Sequence, residues 1–211
     1  AGIDGFLAVS HVHAEFTGHP GHAGAKPEEG YNAVQALAAG VQALYGIPRH
    51  SEGATRVNAG RVEGGTATNI IPESATIELE VRGETTELKE YMLDRANDAL
   101  AGAAATYGCE VTTTTVGDAP SATSDDALVD LVYDVAGGVG GVTTRLRRDT
   151  LGGSEDATYL MQHVQANGGQ ACYVGVGTSH PGGHHTATFD VEEDSIGIGI
   201  DTLTGTILQL D

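Results

Sequence analysis

The sequence predicts a mixed α/β (α+β) protein, with a ferredoxin-like βαββαβ sandwich over residues 6–118 followed by half of an α/β layer over residues 119–211. Three observations carry this. The segments Phe6–Phe16 and Ala75–Val81 alternate apolar and polar residues at period two. Two others, opening at Asn32 and near Leu88, repeat apolar residues every three or four positions. Around Gly117–Ser124 both patterns give way to a small, polar, proline-containing stretch, which is where the domain boundary is placed.

In the first strand Phe6, Ala8, Val12, Ala14 and Phe16 share one face, while His11, His13 and Glu15 share the other. Asn32 then opens a helix whose stripe is Val34, Leu37, Val41 and Leu44, and Gly46 and Pro48 end it. Strands at about Arg56–Val62 and Ala75–Val81 follow. The segment that joins them, Gly-Gly-Thr-Ala-Thr-Asn-Ile-Ile-Pro (64–72), is too long for a simple hairpin turn and reads as functional. Leu88, Tyr91, Met92, Ala96, Ala99 and Leu100 mark a second helix, and Cys109–Val116, rich in Thr and Val, a fourth strand. That order places two helices on one face of a sheet and leaves the other face polar. Past the boundary come a helix over Asp126–Val135, a piece carrying Arg145, Arg147 and Arg148, and a helix from Glu155 to about Asn167. An apolar strand, Ala171–Val176, and a last helix from about Glu192 complete the chain. Such a half layer lacks sheet neighbours, so it is expected to expose edges and apolar surface.

Composition excludes several partner classes. The 211 residues carry 29 acidic against 10 basic side chains, a formal charge of -19. That surface repels nucleic acid and anionic membranes. The acid is spread along the chain rather than gathered in a tail, and only Lys26 and Lys89 among the basic residues are lysine, which suits the screening of a salt-rich, halophilic cytoplasm. Cys109 and Cys172 form no C-x-x-C pair, and no apolar run approaches the ~20 residues that span a bilayer. The first residues lack the charged and apolar regions of a signal peptide and lack Met, so the expectation is a cytoplasmic chain beginning partway through a longer protein.

The residues that point to chemistry are few. His184 and His185 stand in a Gly-Gly-His-His loop, and adjacent side chains of an extended loop diverge, so one of them at most reaches a given metal. Ser154 reads as a helix cap with Glu155 and Asp156 in the first turn, and Gly152 and Gly153 leave backbone N–H groups open to an anion such as a carboxylate. His22 lies among glycines just past a strand. Asn69 precedes Pro72 as a turn former, and Arg82 suits either Glu78 or Glu80 on its own strand or a planar substrate carboxylate.

Taken together these pieces resemble the C-terminal two thirds or so of an aminoacylase/carboxypeptidase G type zinc peptidase. The matching residues, in the family's order, are Gly21–Pro27 with Asn32-Ala33, then Gly64-Gly65 with Asn69-Ile70-Ile71-Pro72 and Glu80-Val81-Arg82. Gly153-Ser154-Glu155-Asp156 and His185 before Phe189-Asp190 complete the set. Within that family, Gly168–Ala171 and the paired-histidine loop look most like the aminobenzoyl-glutamate utilisation amidohydrolases.

The resemblance implies a lid or dimerisation domain inserted into a catalytic domain with two zinc ions, other divalent metals also being accommodated. His185 would ligate zinc; His22, reaching across a dimer interface, would stabilise the oxyanion; Asn69 and Arg82 would hold the substrate carboxylate; Gly153 and Ser154 would line the pocket. The family's other metal ligands and its general-base glutamate lie in a segment preceding the lid, so the isolated chain is expected to be inactive. The activity implied for the parent protein is hydrolysis, as a homodimer, of a small N-acyl or N-aroyl amino acid amide bearing a carboxylate. The alternative is a non-catalytic dimerisation and ligand-binding module whose polar sheet face or edge pairs with a second copy.

Overall fold

The alternating segments become long strands and the periodic ones helices, in a computed structural model that describes residues 1–179, 182–183 and 186–210. In chain order the first elements are β1 (Gly2–Asp4), β2 (Ala8–Thr17), β3 (Gly21–His22), α1 (Ala33–Tyr45), β4 (Thr55–Gly64), β5 (Ile70–Ile71) and β6 (Ser74–Gly83). Then come α2 (Thr86–Thr106), β7 (Glu110–Ala119), α3 (Asp126–Ala136), β8 (Arg148–Thr150), α4 (Ala157–Ala166) and α5 (Asp194–Ile207). They fall into two compact units, Leu7–Ser121 and Ala1–Phe6 with Ala122–Asp211.

The Leu7–Ser121 unit is the sandwich. Its antiparallel sheet runs β4-β6-β2-β7, and the even-numbered apolar residues of β2 face two helices while His11, His13 and Glu15 do not. Phe16, Leu44, Ile77, Met92 and Leu100 are fully buried between the layers. Asn32 caps α1 by accepting from the Gln35 N–H at 3.0 Å, and Thr85 caps α2 through Leu88 N–H at 3.3 Å, which starts that helix earlier than its apolar stripe suggests. Two local shifts interrupt the ladders, at His11/Val12 against β7 and at Ala59/Arg61 on β4.

Where β6 ends, Gly83 lies against the first turn of α2, so close that a Cβ there would collide with Lys89 N and lie 2.6 Å from Leu88 C. That contact seats a buried polar cluster. Lys89 Nζ donates to Asp118 Oδ1 at 2.7 Å, and Ser10 Oγ donates to the same carboxylate from the neighbouring strand. Burial pushes the Lys89 ammonium down, but its bonds to Asp118 and Glu90 outweigh this and hold its pKa above the ordinary lysine value.

In the other unit β1 pairs in parallel with β8, a contact across more than a hundred residues that no local pattern announces. On the other side of β1 the apolar segment expected as a strand, 171–176, is reduced to an isolated antiparallel bridge between Gly2 and Val174, with Ile3 N–H donating to Tyr173 O at 2.8 Å. Arg148, in the arginine-rich piece, pairs with Asp4 and Asp126 and donates to Ser124 O at 2.9 Å, tying β8 to β1 and α3. Asp125 Oδ2 accepts from Ala171 N–H and from Gln165 Nε2, each at 2.8 Å, and these bonds lower its pKa. In this unit apolar side chains stand in the open, among them Leu160 on α4 and Ile196, Ile200 and Ile207 on α5.

Candidate active-site residues

His22 and Asn69, 47 positions apart, are brought together by a two-residue ladder at the end of the sandwich where β2 finishes and β6 begins. Gly21 pairs with Ile71 and His22 with Ile70, and Ala23 N–H donates to Asn69 O at 3.0 Å. The ladder is anchored on both sides. Gly18 N–H donates to Glu73 O at 2.8 Å, and Ala33 N–H, at the head of α1, donates to Pro72 O at 2.9 Å. The long 64–72 connection is therefore built to carry Asn69 to the His22 loop. The His22 ring is exposed, and its Nδ1 accepts from the Gly24 and Ala25 N–H groups, both at 3.1 Å.

Arg82 sits elsewhere. It lies opposite Val9, at the far end of β6 from Ser74, and eight residues of extended chain separate the two by roughly 26 Å. Its guanidinium faces outward from the sheet and forms a fork with Glu80: Nε to Oε1 and Nη2 to Oε2, each at 3.0 Å. Asn69 and Arg82, close in sequence, are thus held apart by the strand that joins them. On the same uncovered sheet face His11, His13, Asn58, Arg61, Glu78 and Glu80 line an open hollow of about 640 Å³, which the sequence foreshadows only as a polar strand face.

Gly153 and Ser154 belong to the other unit. Gly152, in the left-handed region at φ 68°, turns the chain after β8, and nothing stands within 4 Å of the place a Cβ would take. The helix begins later than its acidic residues suggest. The N-cap is Asp156, without a side-chain cap bond, so Glu155 and Asp156 precede α4 and Ser154 does not cap it. The Glu155 carbonyl instead accepts from Thr158 Oγ1 at 2.6 Å. His185, the expected metal ligand, lies outside the described residues. Among the described residues no group of three or more His, Cys, Asp or Glu side chains is arranged to hold a metal ion, so by themselves they do not fit a metal centre. No helix among them is long and apolar enough to cross a membrane.

The sandwich with its helical crossovers, and the His22 loop at its end, match a known family model over residues 8–108, that of the peptidase dimerisation domain. These residues belong to that family. Beyond the dimerisation domain the similarity runs the length of the chain. It is 42% identical over 209 residues to one of the subunits of the p-aminobenzoyl-glutamate hydrolase of Escherichia coli (strain K12), covering 99% of this chain and 48% of that protein. With the indole-3-acetyl-aspartic acid hydrolase of Enterobacter agglomerans it shares 40% identity over the same share of each. Among solved structures it superposes on an aminobenzoyl-glutamate utilization protein from Klebsiella pneumoniae with a TM-score of 0.87 at 36% identity, covering 99% of this chain and 50% of that one. The chain spans about half the length of the curated relatives it matches.

Proposed function

We propose that this chain supplies the dimerisation domain and part of the catalytic domain, with its boundary near residues 117–124, of a metal-dependent amidohydrolase. Its substrate is an N-acyl or N-aroyl amino acid amide of the aminobenzoyl-glutamate kind. The hydrolases it resembles support that substrate class. His185 would be this chain's ligand to a zinc pair.

The observation that carries the reading is the split between the two polar groups of the dimerisation domain. His22, beside Asn69, presents a donor suited to the oxyanion that forms as an amide carbonyl is attacked. Arg82, whose planar fork holds the Glu80 carboxylate in this structure, would take the amino acid's carboxylate in its place. With roughly 26 Å of strand between these ends, one copy cannot apply both to one small substrate. Two copies can, with His22 and Asn69 of one protomer meeting a substrate whose carboxylate is held by Arg82 of the other. Homodimerisation is then part of catalysis, which accounts for a dimerisation domain bearing polar groups that stabilise charge. Gly153 and Ser154 would line the same substrate's pocket. The dispersed acidic surface supports a salt-rich cytoplasm as the setting.

The test is complementation between protomers in the full product of the reading frame, assayed with 4-aminobenzoyl-glutamate. His22→Gln and Arg82→Met are each expected to lower kcat or kcat/KM by about 10²–10³-fold. A mixture of the two, unfolded and refolded together, should recover turnover that neither has alone. Two inactive variants that stay inactive when mixed would refute the shared site.

A further inference from the structure

The His22 loop holds more than a position. The two ring nitrogens are chemically distinct, and only one has partners among the described residues: Gly24 N–H and Ala25 N–H both donate to Nδ1 at 3.1 Å. A nitrogen that accepts two N–H bonds presents its lone pair, so in the neutral ring the proton resides on Nε2. Moving it to Nδ1 would set N–H against two N–H groups and leave the Gly24 amide without that acceptor. The turn is fixed in its own right by the backbone, because the His22 carbonyl accepts from Ala25 N–H at 3.2 Å and from Lys26 N–H at 3.1 Å. It folds back on the residue it positions.

We infer that Gly24 and Ala25 are positioning residues which lock His22 as the Nε2–H tautomer, making it a hydrogen-bond donor toward a carbonyl or oxyanion and withholding Nδ1 from base chemistry. The role in amide hydrolysis rests on the function proposed above, whereas the lock itself is a property of this loop. A Cβ at Gly24 would lie 3.7 Å from the ring Cε1, an ordinary van der Waals contact, so the lock depends on the residue's amide and not on the absence of a side chain.

The experiment is long-range ¹H–¹⁵N correlation of the imidazole nitrogens in the chain labelled with ¹⁵N-histidine, at a pH where the rings are neutral, with the His22 signals assigned by their loss in His22→Gln. The expected pattern is one tautomer: a pyridine-type Nδ1 and a pyrrole-type Nε2. Gly24→Ala, which keeps the amide, should preserve it, and Gly24→Pro, which deletes one donor, should move both nitrogens toward the averaged values of a ring exchanging between tautomers. Averaged shifts in the unaltered chain, or an Nδ1–H tautomer, would overturn the lock irrespective of what the protein hydrolyses. If the lock is present but the full-length His22→Gln protein retains its kcat, the donor role falls while the lock stands. A locked ring together with a kcat loss of about 10²–10³-fold and little change in KM supports both.

Discussion

Replacing Lys89 with methionine removes the charge of the buried lysine of the sandwich while keeping most of the length of its stem, so the consequence is electrostatic rather than a cavity. The Lys89 side chain is 3% exposed and its partner Asp118 30% exposed. Removing one member of a buried ion pair costs about 3–5 kcal/mol, most of it from the stranded partner. Here the stranded carboxylate keeps the Ser10 hydroxyl and gains water on its open side, which reduces the figure to about 2 kcal/mol. With a urea slope of about 2 kcal/mol/M, the unfolding midpoint of the Leu7–Ser121 unit should fall by about 1 M. Urea is the denaturant of choice because guanidinium would screen the pair. Since the folded-state pKa of Lys89 is raised, its contribution is fully present below the unfolded value near 10.5 and is lost as pH rises through the higher folded value. The gap between the two proteins should therefore be constant across neutral pH and close only in strong alkali. Asp118→Asn should be coupled to Lys89→Met by about 1–2 kcal/mol in a double-mutant cycle. A Lys89→Met midpoint within error of the parent, or strictly additive single changes, would refute the reasoning.

The other unit answers to acid. Asp125 has a lowered pKa, so its bonds to Ala171 and Gln165 contribute stability that is present above its ordinary value of 3.8 and lost as the pH falls through the lower folded value; circular dichroism of Asp125→Asn should show this unit already weakened at neutral pH and less sensitive to acidification. Gly83→Ala is expected to destabilise the sandwich by about 3 kcal/mol or more, because the collision is with the backbone of α2; a change under about 0.5 kcal/mol by urea titration would contradict that packing. Calorimetric titration of the isolated chain with zinc should show only weak binding, since the described residues assemble no ligand set, and incubation with 4-aminobenzoyl-glutamate and zinc should give no hydrolysis. In sedimentation experiments the chain is expected to run as a dimer, and loss of self-association on Tyr45→Asp but not on Glu110→Lys would place the pairing edge at α1 and β4 rather than at β7.

How legible each part was depended on the range of the interaction that makes it. Period-two alternation is a local signal, so β2 and β6 and the helical face they bury could be read directly, as could the cap at Asn32, which needs only three residues of context. Two-residue strands have no period, which hid β3 and β5, and a parallel pairing such as β1 with β8 leaves no mark in either partner. Ser154, Glu155 and Asp156 all suit a helix start, whereas α4 begins at Ala157 with Asp156 as its N-cap.

The sequence by itself determined the chemistry present: the acidic surface, the order of strands and helices, and the identities of His22, Asn69, Arg82, Gly153, Ser154 and His185 as residues of interest. Tertiary structure decided which of them share a place. A two-residue ladder across 47 positions joined His22 to Asn69, while an extended strand carried Arg82 to the opposite end of the sheet within 13. Distance along a chain predicts distance in space only where the backbone turns back, and hydrogen bonds between remote backbone groups, which no side-chain pattern encodes, decide where that happens.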